Sequence, residues 1–599
     1  MTLIASNKAV LIGIQISAVR DPASVSRFQN KRVFLTLIEI ATSTKMKSLV
    51  LILMVIKTIV GLSVVTRDNP VVSTPKGQIR GLQAQDGDYD MYLGIPCAPR
   101  FHPREYLGPV PGAFVLLEAS NSPVRGVLQC LELNVYVPHT AHAANTLPVM
   151  VFIHGGAFIT GHKSEFSPKF LLKHDVIIVT FNYRLGLYGF LCSSEPGLKN
   201  AGLKDQVLAF QWVKENIAAF GGNPDLTTIF GMSAGSISLD HHMLATENLA
   251  QRVILMSGTA MTTWFLSEEN DEIPLNVARD LGFTGNDTAG AIQFISAADP
   301  YDAVYAANRL HYLAAPDGYA VAMPCVEAAS DTAIITDYPV NLQPKVKGMD
   351  IMIGYTTKEA MFMYPNNDNL QYYRDYTFDF ELLFEFDEVY NADTVRQFYL
   401  GDEQPNENLQ DAILDYASDF SFVHSAERSV TKYLDAEANS VYKYVFSYEG
   451  DRNYVKRLFE LTAPGASHGD DLGYVFDTDI FENEPITEAD QRVIDAMTKI
   501  NPTPVPTDLI PEWRPVDKEQ RPYLNIDNHI TTGNRAFQKR MAFWDLLELY
   551  YLFIFISELP RWPSGSKRDC YARGLGFDSQ VDQGVIGFLY EILSSRSEF

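Results

Sequence analysis

The sequence predicts an α/β fold, with a central, mostly parallel sheet flanked by helices in a single large domain. Three observations carry that expectation. Leu147 to Ile153 and Asp175 to Thr180 are short, continuous apolar runs rich in β-branched residues, the pattern of strands buried on both faces. A helical pattern runs from Leu203 to Phe220 and is stopped by Gly221-Gly222, with Asn223-Pro224 behind it. A further strand, Thr227 to Phe230, feeds a tight turn into small, helix-compatible residues, and another, Arg252 to Met256, follows. Strands alternating with helices in this way imply a doubly wound sheet.

Composition narrows the class. The chain has 599 residues, of which 46% are hydrophobic, enough for a sizeable core. A formal net charge of −25 repels phosphate backbones and anionic headgroups, so no nucleic-acid partner is expected. The five cysteines (Cys97, Cys130, Cys192, Cys325, Cys570) are too scattered for a disulfide scaffold, and none are spaced as C-x-x-C.

Met46-Lys47-Ser48 precedes an apolar run, Leu49 to Ile56, and the small residues Gly61 and Ser63. That describes a secretory signal peptide over 46–63, too short and too interrupted by Lys57 for a membrane anchor. Residues 1–45 then read as a gene-model extension ahead of the true start, with no structure expected. The domain is expected over 64–551. The basic, turn-rich stretch Pro560 to Arg568 marks 552–599 as a foreign tail, disordered or artefactual. Secretion suits Asn286-Asp287-Thr288, the one acceptor sequon for glycosylation.

The chemistry centres on Gly231-Met232-Ser233-Ala234-Gly235. A G-x-S-x-G turn between strand and helix strains the serine backbone and pushes its hydroxyl over the sheet edge. Acyl transfer also needs a base, an acid to hold it and donors for an oxyanion. His154-Gly155-Gly156-Ala157-Phe158 ends the strand Leu147 to Ile153, and the N–H groups of Gly155, Gly156 and Ala234 make a three-donor oxyanion hole. Of twelve histidines, His468 stands out in the small-residue loop Gly465 to Asp471, whereas His241 and His242 read as packing or surface residues. Glu359 follows the strand-like Asp350 to Gly354, a place where a carboxylate is by itself unremarkable.

These motifs resemble the type-B carboxylesterase/cholinesterase family of α/β-hydrolases, most nearly the secreted insect carboxylesterases. Matching stretches include Gly94-Ile95-Pro96, Cys130 to Pro138, His154 to Phe158, Asn182 to Gly186, Ala201 to Gln206, Phe220 to Pro224, the Ser233 turn, Gly354 to Glu359 and Gly465 to His468. They stand in family order across roughly residues 70–551. The resemblance implies Ser233 as nucleophile, His468 as its general base and Glu359 as the acid behind it. It also implies a structural ion pair between Arg184 and Asp205, a small-molecule ester as substrate, and no metal or organic cofactor. A histidine base implies activity that falls at mildly acidic pH.

Departures shape the expected specificity. Where cholinesterases carry glutamate before the serine, this chain has Met232, and no tryptophan lies between Cys97 and Cys130. Met232 and Phe158 are therefore expected to contact neutral, apolar esters, such as odorant, dietary or xenobiotic ones. Met232 also departs from the glutamine usual in juvenile hormone esterases. Pro99 to Ser120 looks shortened, Cys130 lacks its family partner unless Cys97 substitutes, Leu128 replaces an expected glutamate opposite Arg100, and Lys499-Ile500-Asn501-Pro502 skips a tryptophan-containing helical piece. Two other readings are an esterase of the juvenile-hormone type and a catalytically silent, cholinesterase-like adhesion protein. The oligomeric state is not legible.

Overall fold

A computed structural model of the chain describes residues 69–97, 127, 129–195, 197–262, 265–313, 323–363, 392–482, 484–499 and 507–558. The signal-peptide segment, the extension before it, the shortened stretch after Pro99 with Leu128, and Cys570 lie outside them, and the described residues all fall within one compact unit that begins at Asn69.

Strands β1 (Val71–Thr74) and β2 (Gly77–Arg80) form a separate hairpin. The remainder build one sheet: β3 (Leu82–Gln83), β4 (Tyr89–Pro96), β5 (Glu132–Pro138), β6 (Leu147–Ile153), β7 (Ile177–Phe181), β8 (Gly222–Met232), β9 (Arg252–Met256), β10 (Asp350–Thr356), β11 (Ser440–Phe446), β12 (Pro522–Ile526) and β13 (Thr531–Asn534). Their order is β13-β12-β11-β10-β9-β8-β6-β7-β5-β4-β3. Pairing is parallel from β7 through β6, β8, β9, β10 and β11 to β12, and antiparallel at both ends. The central strands are apolar at consecutive positions because both faces are covered.

Helices α1 (Ala201–Asn216), α2 (Ala234–Ala245), α3 (His424–Asp435), α4 (Glu488–Lys499) and α5 (Gln538–Glu558) are the principal coverings. Leu203, Trp212, Ile237, Val430 and Trp544 pack with Val149, Val151, Ile351 and Val441 on one face. Val493, Ile494 and Met497 of α4 pack with Phe230, Ile254 and Met352 on the other.

The expected elements differ from the observed ones at several boundaries. The helix Leu203 to Phe220 is α1, which ends at Asn216, plus a 3-10 turn over Ile217–Phe220. The strand beyond it begins at Gly222, not Thr227, because Leu147 pairs with Gly222 and a register shift absorbs Pro224 before Val149 meets Thr227. β7 starts at Ile177 and not at Asp175, whose φ of 53° is left-handed. Finally, α5 runs on to Glu558, past the expected boundary at Tyr551.

Cys130 is left without a disulfide partner, and the pairing that does form was not foreseen. Cys97 and Cys130 are buried free thiols and do not pair with each other. Burial pushes the Cys97 thiol up to about 12. The disulfide joins Cys192 to Cys325 across 133 residues, with both ends buried. Asn200 grips the same point, since its amide donates to the Cys325 carbonyl at 2.7 Å while its oxygen accepts the Cys325 N–H at 2.9 Å. Closing so long a loop restricts the unfolded chain strongly. Cys192→Ser/Cys325→Ser is expected to lose about 2–5 kcal/mol. A denaturant midpoint unchanged from the parent would show that this link does not stabilise the fold.

Candidate active site

The candidate residues converge on the carboxyl ends of adjacent parallel strands, where α/β sheets gather their ligands. Ser233 follows β8 directly and caps α2. Its φ of 56° and ψ of −126° lie far from ordinary helix or strand, the strain a nucleophile turn stores. Two close approaches enforce the bend. A methyl group on Gly235 would overlap the Ile153 carbonyl, and one on Gly231 would lie 2.5 Å from the Gly235 carbonyl. The Ser233 N–H is anchored to the Met256 carbonyl at 2.8 Å, so β9 fixes the turn from behind.

The glycine loop after β6 lies against this serine. A Cβ on Gly155 would stand 3.0 Å from the Ser233 Cβ and 2.8 Å from the Met232 carbonyl. Gly156, Ala157 and Phe158 then take φ of 109°, 52° and 62°, a tight left-handed coil that turns successive N–H groups together. Ala157 belongs with this coil. Its side chain gives no sign of a positive φ, so the sequence pointed only to the glycines. His154 braces the loop, with Nδ1 2.9 Å from the Gly155 carbonyl and its ring stacked on Tyr183 at 4.5 Å. Burial pushes the His154 imidazole down to about 4, so it is neutral.

His468 and Glu359 meet. Nδ1 of His468 lies 2.6 Å from Glu359 Oε2, and both side chains are buried. Glu359 Oε1 accepts from the Ser257 hydroxyl at 2.7 Å and the Thr356 N–H at 2.6 Å. Three donors on one buried carboxylate fix its orientation and, through it, the imidazole tautomer. Their loops are zipped together, because the Lys358 N–H donates to the Ala466 carbonyl at 2.9 Å and the Ala466 N–H to the Thr357 hydroxyl at 3.0 Å. Nε2 of His468 has no hydrogen-bond partner. The Met232 side chain links this loop to the serine, since it fills the space between Gly155 and Gly469.

Phe158 requires a correction. Its side chain is 0% exposed and packs edge-on against Phe190, 4.8 Å away, within the main core. The left-handed coil turns it inward, so it supports the loop from beneath. Two other aromatics flank the imidazole: Phe362 at 4.9 Å and Phe422 at 4.5 Å between ring centroids. Phe362 is legible as a residue one helical turn past Glu359. Phe422 sits in a π-helical turn, Asp419–Val423, which no periodicity announces.

Arg184 and Asp205 form a buried bidentate pair, with Nε to Oδ2 and Nη2 to Oδ1 both at 2.7 Å. It clamps the loop after β7 to α1. Asn286 is exposed, immediately before the Asp287 cap of the helix Thr288–Ala297.

A family model described as "Carboxylesterase family" matches residues 116–544. The chain belongs to the carboxylesterase family. It is 29% identical over 534 residues to a carboxylic ester hydrolase of Bombus ignitus, covering 80% of this chain and 94% of that protein. It is likewise 29% identical to esterase FE4 of Myzus persicae, covering 74% and 87%. Among solved structures, juvenile hormone esterase from Manduca sexta, with OTFP covalently attached, matches at TM-score 0.66 and 26% identity, over 80% of this chain and 99% of that one. The fold is that of the α/β-hydrolases, and the protein is a carboxylic ester hydrolase.

One buried acid of this esterase escaped sequence analysis. Asp471 is 0% exposed; Oδ2 accepts the Tyr444 hydroxyl at 2.9 Å, and Oδ1 has no partner. Burial, then the neighbouring Glu359 and Asp470 carboxyls, push it up to about 7 against the help of Tyr444. In the unfolded chain an aspartate loses its proton near pH ~3.9, so folding stability falls as pH rises from there to the folded value and is flat above. Asp471→Asn removes that slope. Thermal melts at pH 5 and pH 7 are expected to show the variant gaining on the parent as pH rises. A constant offset between the two would remove Asp471 from the proton balance.

Proposed function

We propose that this enzyme is a secreted serine esterase that hydrolyses neutral, apolar carboxylic esters through an acyl-enzyme on Ser233. The observation that carries the reading is the joint placement of a strained serine against Gly155 and of a buried His468–Glu359 pair one loop away.

Ser233 Oγ attacks the ester carbonyl while His468 Nε2 takes its proton. The carbonyl oxygen, now negative, is met by N–H groups of Gly155, Gly156 and Ala234, with Ala157 on the same coil. His468 then returns the proton to the leaving alcohol as the tetrahedral centre collapses. Water, deprotonated by the same imidazole, attacks the acyl-serine and releases the acid. Glu359 holds the imidazole's other nitrogen and stabilises its charged form throughout.

Met232, between the glycine loop and the His468 loop, and Phe362 and Phe422, against the imidazole, support an apolar ester, since none of them offers a carboxylate to a cationic alcohol. A juvenile-hormone-type ester is the second reading, favoured by the structural likeness to the Manduca sexta enzyme. Secretion is supported by the disulfide and by the exposed sequon at Asn286. Among the described residues no helix is long and apolar enough to cross a membrane.

Ser233→Ala and His468→Ala are each expected to lower kcat by at least ~10³, and Glu359→Gln by ~10²–10⁴, with the protein still folded. Hydrolysis of a naphthyl ester panel, with mass-spectrometric mapping of an organophosphate adduct, checks this. An adduct on another residue, or full activity in Ser233→Ala, would refute the mechanism. Faster turnover of juvenile hormone than of every generic ester would favour the second reading. Material secreted from insect cells is expected to shift on N-glycosidase treatment, and Asn286→Gln to abolish the shift.

A further inference from the structure

Beneath the sheet, on the face covered by α4, lies a cavity of about 430 Å³ that the ester chemistry does not use. Its walls are apolar and methionine-rich: Met150, Met256 and Met352 from the strands, Met497 from α4, with Phe230 and Ile254 between them. Its volume is that of a ligand site and well above a single-water void. The lining runs along the strands from their amino ends, where Arg252 begins β9, and includes none of Ser233, Glu359 and His468, which gather at the carboxyl ends. It is therefore a separate compartment from the candidate active site.

The two charged groups among the described lining residues, Arg252 and Lys499, are both cations, His174 and Thr498 add neutral polar groups, and no carboxylate is among the described lining residues of this strongly acidic chain. The Arg252 Nε is buried without a hydrogen-bond partner, and Asp350 stands 4.0 Å from it. His174 Nε2 reaches the Thr498 hydroxyl at 2.9 Å. Burial and then Lys499 hold the His174 imidazole below its ordinary value, with Lys173 acting alike and Asp495 and Asp175 opposing. An apolar slot closed by cations suits an unbranched chain with an anionic head. Flexible thioethers adapt to such a chain better than branched side chains do.

The geometry points to a second ligand site in this cavity, taking a medium-chain fatty acid anion with its tail among the methionines and its carboxylate at Arg252 and Lys499. The inner wall is shared with the hydrolytic machinery from behind. Met256 supplies the carbonyl that holds the Ser233 N–H at 2.8 Å, and Tyr444, another wall residue, supplies the hydroxyl on Asp471. The site does not depend on the role given to Ser233.

Isothermal titration of the full chain with decanoate tests this, after organophosphate treatment has filled the esterase site and mass spectrometry has confirmed the adduct. Failure to form that adduct speaks against the Ser233 mechanism and not against the cavity, in which case the untreated chain is titrated and the variants below locate the site. One saturable decanoate site is expected, with no binding of decyltrimethylammonium. Lys499→Glu is expected to weaken decanoate roughly tenfold or more, and Met497→Trp, which fills the slot, to abolish it. Absence of saturable binding, binding that survives Met497→Trp, or equal uptake of the cationic amphiphile would each overturn the assignment.

Discussion

The close contact between β6 and the turn after β8 is the constraint on which the site depends. Gly235 sits on the Ile153 carbonyl with no room for a side chain, so the start of α2 is pressed against the end of β6. That single approach brings the glycine loop to the serine, because the loop is simply the continuation of β6. It also forces the serine backbone into a conformation that costs roughly 1–3 kcal/mol. Packing on both sides supplies the compensation: Ile237 and Leu239 are fully buried below the turn, and the Met256 carbonyl holds it from the neighbouring strand. Stability is given up at one residue and recovered over the whole helix.

A second constraint is electrostatic. Glu359, Asp470 and Asp471 lie fully buried close to one another. Like charges in so dry a place cannot all persist. The structure resolves the conflict by unequal hydrogen bonding. Glu359 receives three donors, one of them the imidazole. Asp470 receives the Ser467 and Lys456 N–H groups and the Asn453 amide, whereas Asp471 receives the Tyr444 hydroxyl alone, which suits a neutral acid. The best-bonded carboxylate of the three is thereby the one that holds the imidazole, with its neighbour Asp471 left as the acid that keeps its proton.

What the sequence made legible follows from how local each feature is. The strand and helix alternation and the elbow glycines rest on short stretches or fixed motifs, and they were readable. The pairing of Arg184 with Asp205 and the meeting of Glu359 with His468 were readable only through family resemblance, since a loop carboxylate and a loop histidine 109 residues apart carry no local signal. Phe158 was misplaced because its backbone turns left-handed, which reverses the direction its side chain takes, and nothing in a phenylalanine signals that. Asp471, Phe422 and the Cys192–Cys325 link were invisible for a common reason. Each acquires its role from a partner on a distant strand or helix: Tyr444 on β11, the His468 loop, and the residue at the far end of a 133-residue loop.

The same logic explains why Cys97 and Cys130 remain thiols while a different pair is joined. Cys97 follows β4 and Cys130 precedes β5, and in both the thiol is pushed upward by burial first and then by the Asp205 carboxylate. A thiol held protonated is a poor nucleophile for disulfide exchange, which disfavours joining this pair. Asp205, committed to Arg184, thus does two things at once: it pins the loop after β7 to α1, and its negative charge disfavours thiolate on the neighbouring strands. The Cys192–Cys325 link, by contrast, ties the segment after β7 to the approach to β10. Those segments lead to the helix before the serine and to the strand that carries Glu359, so the covalent tie lies outside the loops that bear Ser233, Glu359 and His468.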